Sequence, residues 1–251
     1  MPVEDDQFAA ARARNLEGLR DADDLRRFSR LWQVKAADHN YIYNFSWLGR
    51  PIIQLPQDVF AMQEIIWSIK PDLIIETGIA HGGSLIFSAS MLELNAACGG
   101  PQDAEVMGID IDIRAHNRAA IEAHPMSRRI RMIQGSSIAP EIIGQVRDVA
   151  ASKQRILVCL DSNHTHDHVL AELRAYAPLT SVGSYCVVFD TAIEEVPAEI
   201  LGDRPWRPGN SPKTAVIAFL ETTNSFEIDR SISDKLLITV APDGYLKRIK
   251  E

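Results

Sequence analysis

Four acidic residues stand at the carboxyl ends of apolar, strand-like runs in this sequence. They are Glu76, Asp110, Asp161 and Asp190. The carboxyl ends of parallel strands meet at one edge of a sheet, and open α/β sheets bind their ligands at that edge. One acid there is explained by helix capping or solvation, but four repel one another unless a cation or hydrogen-bond donors offset their charge. We therefore predict that the four acids share one functional site.

A glycine-rich stretch follows the first of these strands directly. After Glu76 the chain reads Thr77-Gly78-Ile79-Ala80-His81-Gly82-Gly83-Ser84, which predicts a buried strand, a tight turn and a helix start. Gly78 permits backbone angles that a side chain would oppose. Gly82 and Gly83 would let a ligand approach the main chain, and Ser84 would start the helix. The pattern favours a nucleoside-type cofactor, although an ordinary turn of a doubly wound fold also explains it.

Three groups of residues are predicted to contact such a cofactor. Asp110 stands where an acidic side chain can accept hydrogen bonds from both hydroxyls of a ribose. Asp112, two residues later, is the alternative ribose ligand. Residues 134–136 follow the third strand, where the adenine of such a cofactor would lie. Glu76 would contact the charged amino-acid part of the cofactor. The full predicted set is Glu76, Gly78, His81, Gly83, Ser84, Asp110, Asp112, Gln134, Gly135, Ser136 and Asp161.

Three histidines in five residues, at positions 164–168, invite a metal interpretation. His166-Asp167-His168 imitates part of a non-haem iron triad. The oxygenases that use this triad are usually double-stranded β-helices, whereas this patch joins a parallel strand to a helix. We therefore expect His166 and His168 to be capping or surface residues.

Asp161 and Asp190 form a better candidate metal site. They end neighbouring predicted strands, so their carboxylates are expected to share one hard cation, and magnesium suits oxygen ligands best. Asn163 would add a carbonyl oxygen. His164, at the mouth of the site, would act as a base or orient a ligand.

Strands and helices alternate from residue 72 onward and must position these side chains. Strands are predicted at 72–76, 105–110, 130–134, 155–161 and 184–190. Helices are predicted near 84–95, 114–123, 139–151, 166–177 and 213–223, because apolar residues recur there at three- and four-residue spacing. The expected fold class is α/β, with a doubly wound, mostly parallel sheet covered on both faces.

The last two predicted strands, 226–229 and 236–240, are separated only by a short polar connection at 231–234. Strands so close must pair antiparallel, because a parallel crossover needs a dozen residues or more. The sequence therefore predicts a seven-stranded sheet that ends in an antiparallel pair.

Composition sets the outer limits. The 251 residues are 46% apolar, which suits one α/β domain at 71–251 with a helical extension at 1–70. The net charge of −8 argues against binding to nucleic acid or anionic membranes. The sequence contains no apolar stretch long enough for a membrane span and begins with acidic residues, so we expect a cytoplasmic protein. Cys98, Cys159 and Cys186 are expected to be inert free thiols.

The first 70 residues are predicted to belong to no sheet. Residues 7–38 show helical periodicity, which favours accessory helices that pack on the core or on a second subunit of a homo-oligomer. The segment 41–57 gathers aromatic residues and forms either a docking surface or a lid; Tyr43, Asn44 and Trp47 are its predicted acceptor-binding residues. A second candidate lid is the proline- and glycine-rich connection 193–212.

Taken together, these motifs resemble the cephalosporin hydroxylase and rhamnosyl O-methyltransferase family, whose members have the class I S-adenosylmethionine-dependent fold. The resemblance covers about residues 41–246 and is carried by residues 43–51, 76–84, 108–112, 160–164 and 188–190. It implies a magnesium ion beside Asp161 and beside an acidic pair that falls on Phe189 and Asp190. Here the first member of that pair is Phe189, which leaves two carboxylates instead of three.

The resemblance implies a metal-assisted, S-adenosylmethionine-dependent O-methyltransferase that acts on a sugar-like or polyhydroxylated small molecule or glycan. Asp161 would bind the metal and take part in catalysis, and His164 or His81 would accept the proton. His164 would also contact the acceptor. An NAD(P)-dependent oxidoreductase is the alternative enzyme class, but the first turn has no G-x-G-x-x-G pattern. A non-catalytic subunit that only binds the cofactor is the third alternative, and Phe189 favours it.

Overall fold

The structure is a computed structural model that describes residues 6–251. Its first part consists of the helices α1 (Asp6–Arg20) and α2 (Asp23–Ala37), the hairpin strands β1 (Phe45–Trp47) and β2 (Arg50–Ile52), and the helix α3 (Pro56–Ile69). The two helices confirm the predicted helical extension. The hairpin corrects the prediction that these residues contribute to no sheet. Its turn residues, Leu48 and Gly49, both have positive φ, and a leucine in that conformation is not a recognisable turn signal.

The main sheet has seven strands in the order β5-β4-β3-β6-β7-β9-β8. The chain passes through β3 (Leu73–Thr77), α4 (Gly83–Ala97), β4 (Glu105–Asp110), α5 (Ala115–Glu122), β5 (Ile130–Gln134), α6 (Pro140–Ala150), β6 (Ile156–Leu160), α7 (His166–Tyr176), β7 (Tyr185–Val188), α8 (Ala198–Leu201), α9 (Pro212–Leu220), β8 (Phe226–Ile228), α10 (Arg230–Leu236) and β9 (Tyr245–Arg248). Strands β3 to β7 are parallel, and β9 runs antiparallel to both β7 and β8. The predicted doubly wound α/β sheet with a terminal antiparallel pair is confirmed.

Both faces of the sheet are covered, because the central strands β3, β6 and β7 are buried at every position. Alternate residues of a strand point to opposite faces. Ile74 of β3 belongs to one core cluster together with Val106 of β4, whereas Leu73 and Ile75 belong to the cluster on the other face. The helices supply the apolar side chains that close both layers.

The second strand of the terminal pair lies at 245–248 and not at the predicted 236–240. The connection is longer than predicted because Asp229 accepts a hydrogen bond from the Ser231 amide at 3.1 Å and starts helix α10. After that helix Leu237 has φ +60°, which interrupts the apolar run. The run 236–240 looked like a strand because short apolar runs do not distinguish buried strands from buried helix ends.

The strand register brings the predicted site residues to one edge of the sheet. Thr77 pairs with Ile109 of β4 and with Leu160 of β6, and Leu160 pairs with Val188 of β7. The positions that follow these partners are Gly78, Asp110, Asp161 and Phe189. Glu76 lies one level deeper, because it pairs with Gly108 and Cys159.

No helix in the described part of the chain is both long enough and apolar enough to cross a membrane.

Candidate active site

A cavity of about 1040 Å³ opens at this edge of the sheet. Its floor contains the residues that follow the strands: Gly78, Asp161, Phe189 and Asp190. The turn 79–84 forms one wall, and the connection after β7 forms another. Helix α2 and the segment 40–43 cover it. Pockets for single small ligands measure roughly 300–1,000 Å³, so this cavity has room for more than one ligand.

Three potential metal ligands meet inside the cavity. Asp161, His164 and Asp190 each place one donor atom within 4.8 Å of the others. Nε2 of His164 lies 3.3 Å from Oδ2 of Asp190. Burial, and next the charge of Asp190, hold the pKa of Asp161 well above its usual range. A cation would offset both effects. Magnesium is commonly held by one or two carboxylates plus water, so these residues fit a hard divalent cation.

Asp190 reaches this group through an unusual backbone conformation. Its φ is +57°, which is uncommon for a residue other than glycine. The following residues hold it there: Thr191 Oγ1 donates to the carbonyl oxygen of Pro242 at 2.6 Å, and the Ala192 amide donates to that of Val240 at 3.0 Å. Consecutive strand residues face opposite ways, and this bend lets both Phe189 and Asp190 line the cavity.

Glu76 lies beneath the main cavity and does not line it. The side chain is 4% exposed, accepts a hydrogen bond from Ser88 Oγ at 3.4 Å and faces a small void that it shares with Ser84 and Phe189. Its Oε1 has no partner. Burial raises the pKa of Glu76 to about 7. Contact between Glu76 and the amino-acid part of a cofactor stays a prediction.

Asp110 holds the glycine turn. Its Oδ2 accepts hydrogen bonds from the amides of Ile79 at 2.7 Å and Ala80 at 3.2 Å, and its Oδ1 accepts one from the Asp112 amide at 2.9 Å. An ionised carboxylate has about four lone-pair sites, so Asp110 keeps an acceptor site for a ribose hydroxyl. The Asp112 side chain is exposed at the same edge.

The glycines of the turn are required by packing of the protein on itself. A Cβ on Gly78 would lie 2.0 Å from the carbonyl oxygen of Asp161, and one on Gly83 would lie 2.2 Å from that of Pro51. A Cβ on Gly82 would meet the Ile121 side chain at 2.4 Å. Packing alone therefore explains the missing Cβ at Gly82 and Gly83, and close approach of a ligand to their main chain stays a prediction. The structure confirms the conformational role of Gly78, whose φ is +90°.

The start of helix α4 also differs from the prediction. The helix begins at Gly83, and Gly82 occupies the capping position. Ser84 therefore lies in the first turn, where it lines both the cavity and the small void beside Glu76.

A clamp that the sequence did not reveal fixes the outer part of the turn. Arg50 donates to the carbonyl oxygen of His81 through Nε at 3.0 Å and through Nη2 at 2.6 Å, and Nη2 also reaches Asn117 at 3.0 Å. Asn117 donates to the carbonyl oxygen of Ala80 at 2.9 Å. His81 lines the cavity. Arg50 and Asn117 lie 31 or more positions away along the chain, so no local pattern links them to the turn.

The residues predicted to meet an adenine follow β5, outside the cavity lining. Gln134 is exposed and accepts a hydrogen bond from Arg118 at 3.4 Å, and the Gly135 amide donates to the backbone carbonyl oxygen of Asp110 at 2.8 Å. Ser136 is half-buried in the same loop. These residues form an open edge beside the turn and Asp112.

His166 and His168 are half-buried links between segments, which corrects the expected capping or surface positions. His168 Nε2 lies 3.1 Å from the hydroxyls of both Ser137 and Ser162. His166 Nδ1 lies 2.8 Å from Thr214 Oγ1. The two rings thus serve different contacts, and among the described residues neither belongs to a metal-binding group.

Of the three acceptor-binding residues predicted in the segment 41–57, one lines the cavity and two do not. Tyr43 lines the cavity and is 54% exposed. Asn44 and Trp47 lie off the lining: Asn44 donates to the carbonyl oxygen of Asn40 at 2.9 Å, and Trp47 Nε1 donates to Ser90 Oγ at 2.9 Å. The Asn44 side chain therefore stabilises the N-terminal segment, and the Trp47 side chain joins that segment to α4.

Asn163 is also engaged. Its Oδ1 accepts hydrogen bonds from both the amide and the hydroxyl of Thr165, at 2.9 and 2.7 Å. The carbonyl oxygen expected at the metal is therefore occupied by the local turn. His164, its neighbour, faces the cavity and Trp206, which the sequence analysis did not single out.

The family model described as Rhamnosyl O-methyltransferase/CmcI matches residues 39–249. The chain belongs to this family. The rhamnosyl O-methyltransferase of Mycobacterium leprae is 30% identical over 213 residues, which cover 83% of this chain and 86% of that relative.

Solved structures support the fold of this rhamnosyl O-methyltransferase/CmcI family member. A CmcI structure with Mg and SAM has a TM-score of 0.56 at 17% identity and covers 83% of this chain and 78% of that one. The O-methyltransferase TomG from Streptomyces achromogenes, in complex with SAM, has a TM-score of 0.53 at 15% identity, with 88% and 90% covered. The predicted class I methyltransferase fold is confirmed.

Proposed function

We propose that the protein transfers a methyl group from S-adenosylmethionine to a hydroxyl of a sugar-like or polyhydroxylated acceptor, with the help of a divalent cation. The observation that carries the proposal is the convergence of Asp161, His164 and Asp190 beside the glycine turn, inside a cavity with room for two ligands. Family membership supports the reaction type.

The cofactor would lie along the open edge formed by β3, β4 and β5. Asp110 or Asp112 would accept the ribose hydroxyls, and residues 134–136 would face the adenine. Gly83 and Ser84 form the start of α4 and line the cavity. The N–H groups of a helix's first turn have no acceptor within the helix. A helix N-terminus favours an anion, so it would hold the carboxylate of the methionine part. The CmcI and TomG structures contain SAM.

Asp161 and Asp190 would hold the cation, which the CmcI structure contains as Mg. A bound divalent cation supplies a Lewis acid that lowers the pKa of an acceptor hydroxyl. The sulfonium of the cofactor supplies the methyl group. In the transfer the S–C bond breaks as the O–C bond forms, and the sulfur keeps the electron pair.

The residues of this chain would orient the acceptor and take up its proton. His164 would accept the hydroxyl proton at a ring nitrogen, and Asp190, 3.3 Å from Nε2, would stabilise the resulting imidazolium. His81 lines the same cavity and is the alternative base. The cover formed by α2 and the connection after β7 would keep the acceptor oxygen next to the methyl carbon.

Methyl transfer from labelled S-adenosylmethionine to a rhamnoside tests the proposal. Asp161→Asn and Asp190→Asn should each abolish turnover. Asp190→Asn should leave the affinity for S-adenosylhomocysteine nearly intact in isothermal titration, because the predicted ribose and methionine contacts lie elsewhere. Excess chelator should have the same effect. Turnover by the Asp161→Asn protein in metal-free buffer would rule out the metal-assisted mechanism.

The ribose assignment has its own test. Asp110→Ala removes charge-assisted hydrogen bonds worth roughly 1.5–3 kcal/mol each, so affinity for S-adenosylhomocysteine should fall at least about tenfold. Asp112→Ala is the matched control, since its side chain is exposed at the same edge of the sheet. Loss of affinity in Asp112→Ala alone would transfer the ribose role to Asp112.

The domain division, compartment and assembly state belong to the same proposal. Residues 71–251 would bind the cofactor, and residues 1–70 would cover the acceptor, as the lining position of α2 supports. Cys159 and Cys186 are buried free thiols, which fits a reducing cytoplasm. Phe28 and Leu31 are exposed on the outer face of α2, at 66% and 55%, which fits a homo-oligomer contact.

A further inference from the structure

The connection between β7 and α9 carries an aromatic residue into the candidate active site. Trp206 lines the cavity, and its ring centroid lies 4.8 Å from that of His164, with the two ring planes at 89°. Perpendicular aromatic pairs at this distance are favourable. Trp206 is partly exposed, so part of the indole remains open to a ligand.

The loop that carries Trp206 is held from both ends. Glu194 accepts hydrogen bonds from the Gly209 amide at 3.1 and 3.0 Å and from Ser211 Oγ at 2.6 Å. Arg207 and Asn210 exchange two backbone hydrogen bonds, at 3.1 and 2.8 Å. These contacts close the 207–210 turn, which fixes the segment that immediately follows Trp206.

Asn210 ties this loop to the helix that follows His164. Its Oδ1 accepts from the His166 amide at 2.9 Å, and its Nδ2 donates to the carbonyl oxygen of Pro205 at 2.9 Å. Asn210 therefore joins the residue before Trp206 to the first residue of α7. The relative position of Trp206 and His164 is set by these bonds and does not depend on the ring contact alone.

The His164 ring has contacts on two sides. Asp190 lies 3.3 Å from Nε2, and Trp206 packs against the ring. A histidine side chain has only two torsion angles, and two contacts in different directions restrict both. Without Trp206 the ring would keep the contact with Asp190 but could rotate about it.

We infer that Trp206 is a positioning residue for His164 and provides the aromatic surface on which the ring of a sugar-like acceptor packs. This inference rests on the proposed function for the identity of the acceptor and of the base. Trp47, one of the predicted acceptor-binding residues, packs its indole against Phe87 instead, with 5.0 Å between ring centroids.

NMR of the free protein tests the contact without any turnover. Histidine side chains labelled with ¹³C at Cε1 would be recorded for the wild type, Trp206→Phe and Trp206→Leu, with His164→Asn used to assign the signal. The ring current of Trp206 should displace the His164 signal, Trp206→Phe should keep much of the displacement, and Trp206→Leu should remove it. Trp67→Leu is the matched control, since Trp67 is 40% exposed and lies outside the cavity lining. An unchanged His164 signal in Trp206→Leu would overturn the inference.

Kinetics with a rhamnoside probe separate positioning from general structural damage. Trp206→Leu should lower kcat at least about tenfold, because small misplacement of a reacting group is costly, and should raise KM for the probe. Trp206→Phe should restore most of both. In the His164→Asn background, Trp206→Leu should change kcat less than about twofold while still raising KM, because residues that act through one another are not additive.

A kcat loss of equal size in both backgrounds would reject the positioning role. An unchanged KM in both backgrounds would reject the stacking role. Failure of the proposed function has a different signature, namely no binding of S-adenosylhomocysteine and no methyl transfer by the wild type, and the NMR measurement still decides the contact in that case.

Discussion

Phe189 is the residue at which this chain departs from the acidic pair that the family resemblance implies. It is 3% exposed and lines both the main cavity and the small void beside Glu76. Among the described residues, the group that could hold a cation here consists of Asp161, His164 and Asp190 and contains no third carboxylate. A cation bound here would therefore take more of its ligands from water or acceptor oxygens than one held by three carboxylates.

Phe189→Glu should tighten binding of Mg²⁺, because it adds a charged oxygen ligand to a position that lines the cavity. Isothermal titration of the cofactor-loaded protein with Mg²⁺ measures the effect. Phe189→Gln is the control, since it offers an oxygen of similar reach without the charge. Equal Mg²⁺ affinity in the wild type and both variants would show that residue 189 does not face the ion.

Glu76 should make stability depend on pH. Burial raises its pKa in the folded state to about 7, above the ordinary value of 4.5, so the folded protein binds this proton more tightly than the unfolded chain. The contribution to stability is therefore fully present below pH 4.5 and is lost as pH rises through 7, by an amount on the order of 3 kcal/mol.

Glu76→Gln should remove that loss, so the variant should gain stability relative to the wild type between pH 5 and pH 8. Urea unfolding at a series of pH values measures it. Glu122→Gln, at an exposed position on α5, is the control and should leave the pH dependence unchanged. A Glu76→Gln curve parallel to that of the wild type would contradict the assignment.

At the scale of elements, the site depends on how closely the hairpin and the strands approach the glycine turn. The start of α4 packs on β2, where the carbonyl oxygen of Pro51 and the backbone of Ile52 leave no room for a Cβ on Gly83. The hairpin also carries Arg50, which clamps the carbonyl oxygen of His81. The N-terminal segment therefore shapes the cofactor turn as well as the acceptor side.

The same substitution at two helical glycines should have opposite effects. Gly83→Ala should destabilise the protein by about 1–3 kcal/mol or more, because the new Cβ would lie 2.2 Å from a carbonyl oxygen. Gly144→Ala, inside α6 with no atom within 4 Å of the new Cβ, should stabilise it by about 0.5–1 kcal/mol. Urea unfolding measures both, and destabilisation by Gly144→Ala would contradict the packing argument.

At the scale of the whole molecule, the cavity lies between the sheet edge and a cover made of distant segments. Arg26 of α2 contacts Asp234 at 3.3 Å, Arg30 contacts Glu195 at 3.3 Å, and Gln33 donates to the carbonyl oxygen of Thr239 at 2.7 Å. Helix α2 is thus joined to the connection after β7 and to the C-terminal segment. All of these contacts are polar.

Arg26→Ala combined with Arg30→Ala should loosen the cover and raise KM for a rhamnoside acceptor by up to about 30-fold, since the two partly exposed pairs contribute at most about 1 kcal/mol each. Affinity for S-adenosylhomocysteine should stay unchanged, because these residues lie away from the predicted cofactor edge. Arg27→Ala, on the same helix but outside the cavity lining, is the control. A matching loss of cofactor affinity would show that α2 serves the whole site.

The sequence by itself determined that strands β3 to β7 run parallel and that Asp110, Asp161 and Asp190 lie where three of these strands end, at one edge of the sheet. Apolar strand runs and helical spacing are local signals, and the carboxyl ends of parallel strands must meet at one edge. The same rule predicted that Asp161 and Asp190 lie close together. In the structure, one donor atom of each lies within 4.8 Å of the other and of a ring nitrogen of His164.

Only the tertiary structure decided which side chains at that edge face the cavity. Trp206, Arg50 and Asn117 reach the site from distant segments, whereas Trp47 and Asn163 have partners elsewhere. The direction of a side chain depends on its non-local neighbours, and no local spacing encodes them. For the same reason the run 236–240 was predicted as a strand: only pairing with β7 and β8 distinguishes the strand at 245–248 from that connection.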